Sequence, residues 1–401
     1  MSSASSEGSR APLDCEDGYG CDVSSRGVTG WRGTKYLLGG ITFLLLTVIV
    51  FWFQFTRIEA GDQLVAWDKL RWGYLLLLLL CLPLDTVACG IRIWVVCRLL
   101  QPGIGFWTCL KAEWANVGVA MLTPSSSGGG LGQIYMLNRG GANAGSAIAI
   151  SFITFLGSMV GLLCIGLYNI LFSGAPDTGP LLRTALWGFT FIAAFVILAA
   201  VWPGLFRVVI LWIYQAYWEI RGKNHPLAVF SSPPEAQAES TQSSMGPVAA
   251  KLVHMTHTYQ DNVRRFVRLG KGSFVIVCLL SLSFLLSRCL MAFLCLRFLG
   301  IQTSTLGEVM EIQMALILFV FFAPTPGGSG LAEGVSLSFM SDVVPVGFAP
   351  YYNLLWRFTT LYLAASVGLF FLFRTMVSDA RKVVSFRRAR SDAPKQRKEK
   401  T

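Results

Sequence analysis

Six stretches of this chain are each roughly 20 residues long and almost wholly apolar, which is the length that crosses the hydrocarbon of a bilayer as a helix. They are Tyr36–Thr56, Tyr74–Cys97, Ala144–Phe172, Thr184–Val201, Ser273–Leu296 and Tyr351–Phe373. A further pair of apolar stretches, from about Leu110 to Met136 and from about Met310 to Met340, is interrupted by Pro and Gly and cannot form single straight helices. The expected fold class is therefore all-α: a polytopic integral membrane helical bundle. Charge content agrees, because 14% of the 401 residues are charged where a soluble domain carries about 25%. Each charge placed in hydrocarbon costs several kcal/mol.

The net charge of +11 sits in two places. Residues 204–272 hold eight Lys/Arg against four Asp/Glu, and residues 374–401 hold ten against three. Beside membrane spans such segments mark the cytoplasmic side, since Lys/Arg-rich loops resist translocation. That reading is preferred to nucleic-acid binding, and no nucleic-acid partner is expected. It puts both termini in the cytoplasm of a multi-pass protein of the plasma (inner) membrane. Within 204–272, Leu205–Ile220 reads as an interfacial amphipathic helix with Trp and Tyr at headgroup depth, and 221–271 as a polar loop. His254 and His257 in that loop have no acidic or Cys partner nearby, so no metal is expected there. No CxxC pair occurs among the ten cysteines. Those within the apolar runs read as small buried apolar residues, and Cys15 and Cys21 in the polar tail are open to pairing or to remaining free. The first 35 residues are Ser/Gly-rich with no early apolar run, the expectation for a disordered tail and not for a cleaved signal. The expected organisation is a tail over 1–35, a membrane repeat over 36–203, a linker over 204–272, a second repeat over 273–373 and a basic tail over 374–401.

The two interrupted stretches match each other. Thr123-Pro-Ser-Ser-Ser-Gly-Gly-Gly-Leu-Gly-Gln133 aligns without a gap against Ala323-Pro-Thr-Pro-Gly-Gly-Ser-Gly-Leu-Ala-Glu333. Pro124, Gly128, Gly130 and Leu131 recur as Pro324, Gly328, Gly330 and Leu331, with Gly129 in the first break and Pro326 and Gly327 in the second adding to the interruption. The same offset places Glu113 opposite Gln313, and each break follows a span bearing one arginine, Arg92 or Arg288. Matched Gly/Pro breaks in two halves point to a transporter-type site. With the orientation above, the halves are expected to be inverted repeats, each with a broken or re-entrant hairpin. Backbone at a break cannot face lipid and must be buried in protein or line a wet cavity. A half-helix starting after the glycines aims its N-terminal amides at that cavity and favours an anion. Glycine also permits tight helix crossings, a second reading of the same residues. No Lys-Ser/Thr follows the glycines, so a Walker-type phosphate loop is excluded.

At these residues the chain resembles the transmembrane, flippase-like domain family of lysylphosphatidylglycerol synthases and their stand-alone relatives. TPSSSGGGLGQIYML and APTPGGSGLAEG carry the resemblance, with Leu355-Trp356-Arg357-Phe358-Thr359-Thr360-Leu361-Tyr362 similar to the family's final arginine-bearing helix. Arg92 in IRIW matches the end of an early span more loosely. The resemblance implies handling of an anionic phospholipid or a polyprenyl-phosphate-linked sugar. Only 28 residues follow Phe373, so the synthase activity of the full-length members is not expected.

Arginine suits phosphate because its planar fork donates two parallel hydrogen bonds and stays charged. The candidate lipid-binding residues are Arg288, Arg357 and Glu333, expected as an outer cluster, and Arg92 with Gln133, expected as its inner counterpart. Asp85 is a further lipid-binding candidate; it stands seven residues before Arg92 on the same helix face, and a water-bridged structural pair between the two is the alternative reading. No cofactor and no catalytic residue is assigned. The rival readings are a membrane-embedded transferase or accessory factor using a lipid-linked donor, and a secondary transporter of a small anion.

Overall fold

The computed structural model describes residues 70–171 and 247–398, apart from 303 and 322, with isolated positions between 45 and 56 and between 187 and 197. The runs Tyr36–Thr56 and Thr184–Val201 lie largely outside the described residues. Leu205–Ile220, Cys15, Cys21 and the side chains of His254 and His257 lie wholly outside them.

Ten α-helices follow one another in the described chain: α1 (Trp72–Leu100), α2 (Phe106–Leu122), α3 (Gly129–Arg139), α4 (Ala144–Leu171), α5 (Pro247–Leu269), α6 (Lys271–Phe298), α7 (Leu306–Phe321), α8 (Leu331–Phe339), α9 (Ala349–Arg357) and α10 (Leu363–Lys398). A 3-10 turn, Val346–Phe348, leads into α9, and a π-helical turn, Phe358–Tyr362, joins α9 to α10. Four stretches are long and apolar enough to cross a membrane: α1, α4, α6 and the continuous Val346–Asp379. They correspond to four of the six runs expected from the sequence. Leu76, Leu79 and Leu84 of α1 and Phe370 and Phe373 of α10 stay exposed, as apolar side chains do where lipid is the solvent.

The matched stretches fold as matched units. Each is a helix, a break and a shorter helix: α2–α3 in the first half and α7–α8 in the second. Thr305 and Glu308 start α7 with a reciprocal cap, Thr305 N–H to Glu308 Oε2 at 2.9 Å and Glu308 N–H to Thr305 Oγ1 at 3.3 Å. Such a Thr-x-x-Glu box satisfies two amides that the first turn otherwise leaves open. Pro124 and Pro324, just past α2 and α7, cannot continue a helix for want of an N–H and room for the ring.

Glycines set how closely these units pack. A Cβ on Gly132 would lie 2.5 Å from the Ala115 carbonyl oxygen, so α3 rests directly on the backbone of α2. A Cβ on Gly368 would lie 1.8 Å from the Trp114 carbonyl oxygen, and one on Gly118 would lie 3.0 Å from the Leu369 nitrogen. Helices α2 and α10 therefore cross backbone to backbone, flanked by Trp114 stacked on Phe371 at 5.5 Å. One apolar core gathers Ile93, Leu137 and Ile150 from the first half; another gathers Met291, Leu316, Tyr352 and Trp356 from the second.

One expectation is corrected. The end of the polar stretch 221–271 is not loop, because α5 covers Pro247–Leu269. Tyr259 and Phe266, two turns apart, are buried in the core around α4, and Asn262 donates to Ser146 Oγ at 2.9 Å. Burial of that narrow stripe stabilises a helix that overall polarity conceals.

Candidate functional site

The two breaks meet. Pro124 and Pro326 face each other as an isolated antiparallel bridge, so the loops closing α2 and α7 touch tip to tip. Beside that contact lies a cavity of about 530 Å³ lined by residues of both breaks and by Arg92, Arg288 and Arg357. The residues expected as an outer and an inner cluster share one space, since Arg92, Arg288 and Arg357 all border this cavity. The reason is visible at Phe284, whose ring lies 5.9 Å from the Arg92 guanidinium and 4.6 Å from that of Arg288. Helices α1 and α6 pack closely along one another, which brings their arginines to the same level.

The three arginines are held differently. Arg357 ends α9 and is 3% exposed. Its Nε donates to Glu333 Oε1 at 2.7 Å, and its two terminal nitrogens donate to the carbonyls of Gly327 and Gly328 at 3.3 and 3.1 Å. Glu333 Oε2 accepts from the Gly330 N–H at 2.7 Å. Gly327, Gly328 and Gly330 all have positive φ, a backbone that glycine adopts without a Cβ clash. Arg357 and Glu333 thus clamp the second break in shape, and the break's own carboxylate caps the start of α8.

Arg92, 4% exposed, bonds Ser158 Oγ at 2.8 Å and Ser281 Oγ at 3.2 Å. It forms an ion pair with Glu113 of α2 at 3.3 Å. Asp85, the candidate for a water-bridged pair with Arg92, stands seven residues away, about 10 Å along the helix, and its carboxylate accepts from Ser287 of α6. Glu113 was the missed partner. The signal lay in the repeat: first half Glu113 and Gln133, second half Gln313 and Glu333, the acid and amide exchanged between equivalent positions.

Arg288 makes no ion pair among the described residues. It donates to the Thr360 carbonyl, which belongs to the π-helical turn, and its charge interacts with Asp85. Gln133, 3% exposed, lies on α3 between Ser151 Oγ and Thr154 Oγ1, each at 3.3 Å. No cluster of metal-ligating side chains occurs among the described residues.

The first break differs from the second in its backbone. Ser125 and Ser126 adopt φ of +53° and +52°, a left-handed conformation that costs a non-glycine residue about 1–2 kcal/mol. The glycines divide into two kinds here. A Cβ on Gly129 would meet the Asn116 side-chain oxygen at 2.2 Å, so that glycine serves packing, whereas one on Gly130 would meet only Ser151 Oγ at 3.4 Å. Gly130 has room for a side chain and borders the cavity.

Fold and cavity together define a polytopic helical membrane protein with an arginine-lined cavity where two broken helices meet. The chain belongs to the lysylphosphatidylglycerol synthase TM region family, which it matches over residues 38–368. No curated protein and no solved structure matches it.

Proposed function

We propose that this protein is a lipid flippase-like carrier that admits the anionic headgroup of a phospholipid or polyprenyl-phosphate-linked sugar into the arginine-lined cavity. The two broken units act as inverted, re-entrant hairpins that open the cavity to each membrane face in turn. The observation that carries this reading is the convergence of Arg92, Arg288 and Arg357 on one cavity at the meeting point of the two breaks. Arg92 and Arg357 already have Glu113 and Glu333 as ion-pair partners. That leaves Arg288 as the guanidinium lining the cavity without an ion pair among the described residues, and ionisable residues at membrane depth are functional by default. Acyl tails suit the same cavity, since Phe155, Leu285, Ile317 and Val320 also line it. In this reading both termini are cytoplasmic and the membrane is the plasma membrane.

The transferase alternative needs a carboxylate free to move a proton. Glu333 is engaged with Arg357 and the Gly330 amide, and Asp85 with Ser287, so neither favours it. The experiment is exchange of fluorescent anionic lipid across proteoliposomes holding the full chain. Arg288→Gln is expected to slow exchange at least about tenfold, the worth of one charge-assisted hydrogen bond. Exchange unchanged by that substitution overturns the proposal.

A further inference from the structure

The two breaks are equivalent in sequence and unequal in what their backbone holds. At the second, the Gly330 N–H is occupied by the carboxylate of Glu333 at 2.7 Å, and that carboxylate is neutralised by Arg357. The equivalent amide at the first break belongs to Gly130. It lies in the first turn of α3 and makes no hydrogen bond among the described residues. The residue equivalent to Glu333 is the uncharged Gln133, turned away to Ser151 and Thr154. No acidic side chain stands in the first turn of α3, so the partial positive charge of that helix end is unopposed from within its own segment.

A further observation concerns the same space. Arg92 lines the cavity and is buried, at 4% exposure. Its Nε–H nonetheless has no acceptor among the described residues. Buried polar atoms are nearly always satisfied, and an exception calls for a missing partner. Gly130, Arg92 and Arg288 all border one cavity.

We infer that the Gly130 amide at the start of α3 is the phosphate-binding point of the cavity, with Arg288 and Arg92 as its cationic walls. The Glu333 carboxylate at Gly330 is a built-in counterpart of the ligand phosphate. The second break is closed by its own anion and keeps a fixed shape; the first is left open for an external one. This rests on the lipid-handling reading above and narrows it to one break and one backbone donor. The ligand chemistry is a phosphate oxyanion, carried on a lipid headgroup or free in solution.

Binding of dihexanoyl phosphatidic acid and of inorganic phosphate to the full chain in detergent, by calorimetry, tests this. Gly130→Ala keeps the amide and has room for its methyl group, and is expected to melt as the unaltered protein does. Gly130→Pro replaces the N–H with ring carbon, in the first helical turn where proline is best tolerated, and is expected to bind about tenfold or more weakly. Gln133→Glu puts a carboxylate where the second break has one and is expected to weaken binding similarly. Should Gly130→Pro unfold, Gln133→Glu decides alone. Affinity for the short-chain lipid far above that for inorganic phosphate assigns the site to headgroups; equal affinity with mutual competition assigns it to free phosphate, and both results support the site. Binding undiminished in Gly130→Pro and Gln133→Glu overturns the inference. Lipid exchange that persists beside that result leaves the carrier reading standing. Phosphate bound at Gly130 by a protein that moves no lipid has the opposite meaning.

Discussion

Replacing Arg357 with Gln isolates the clamp on the second break. The substitution removes the 2.7 Å bond from Nε to Glu333 and the two bonds to the carbonyls of Gly327 and Gly328. Glu333, at 0% exposure, is left as a buried negative charge facing only the Gly330 amide. Breaking a buried pair from one side costs about 3–5 kcal/mol, most of it the stranded charge. The reverse change, Glu333→Gln, strands Arg357 but leaves it two carbonyl partners, and the new amide oxygen still accepts from Gly330. A smaller loss of about 1–3 kcal/mol is expected. The double variant removes both charges at once, so its loss should fall short of the sum of the singles by at least about 1 kcal/mol, within the range measured for contacting residues. Unfolding free energies of the four proteins in mixed micelles give this cycle. Additive losses, or an Arg357→Gln variant as stable as the parent, refute the clamp.

Other consequences follow from the same contacts. Gly368→Leu drives a side chain into the Trp114 carbonyl, 1.8 Å from the Cβ position, and should lower stability by at least the 1–3 kcal/mol, roughly, of an overpacked contact, read from the same micelle assay. Gly132→Ala meets the Ala115 carbonyl oxygen at 2.5 Å and should destabilise comparably, while Gly130→Ala leaves the melting curve in place. Asp379→Asn breaks the half-exposed contact with Arg139 and weakens that with Tyr135; a loss of no more than about 1 kcal/mol is expected.

Much of the fold is written in the apolar runs, because about 20 residues without charge have few alternatives to a membrane helix. The ungapped match between 123–133 and 323–333 likewise anticipated two helix–break–helix units. That the units touch at Pro124 and Pro326 was not readable, since repeat identity fixes local shape and leaves relative placement to packing. Glu113 was missed as the ion-pair partner of Arg92 for a related reason: spacing along one helix points to Asp85, whereas Glu113 arrives from α2 through tertiary contact. The π-helical turn at 358–362, whose Thr360 carbonyl meets Arg288, has no sequence signature in an apolar helix. α5 was hidden by the polar composition of its outer face, its buried stripe being only Tyr259, Phe266 and their neighbours.

The most direct measurement is photocrosslinking of an anionic lipid carrying its reactive group beside the phosphate, in proteoliposomes, with adducts mapped by mass spectrometry. Headgroup entry predicts adducts on cavity residues such as Ser127, Gln133 and Gln313, lost in Gly130→Pro and in Arg288→Gln. Adducts confined to outward-facing positions such as Leu76, Leu79 and Phe373, with none inside, would contradict it.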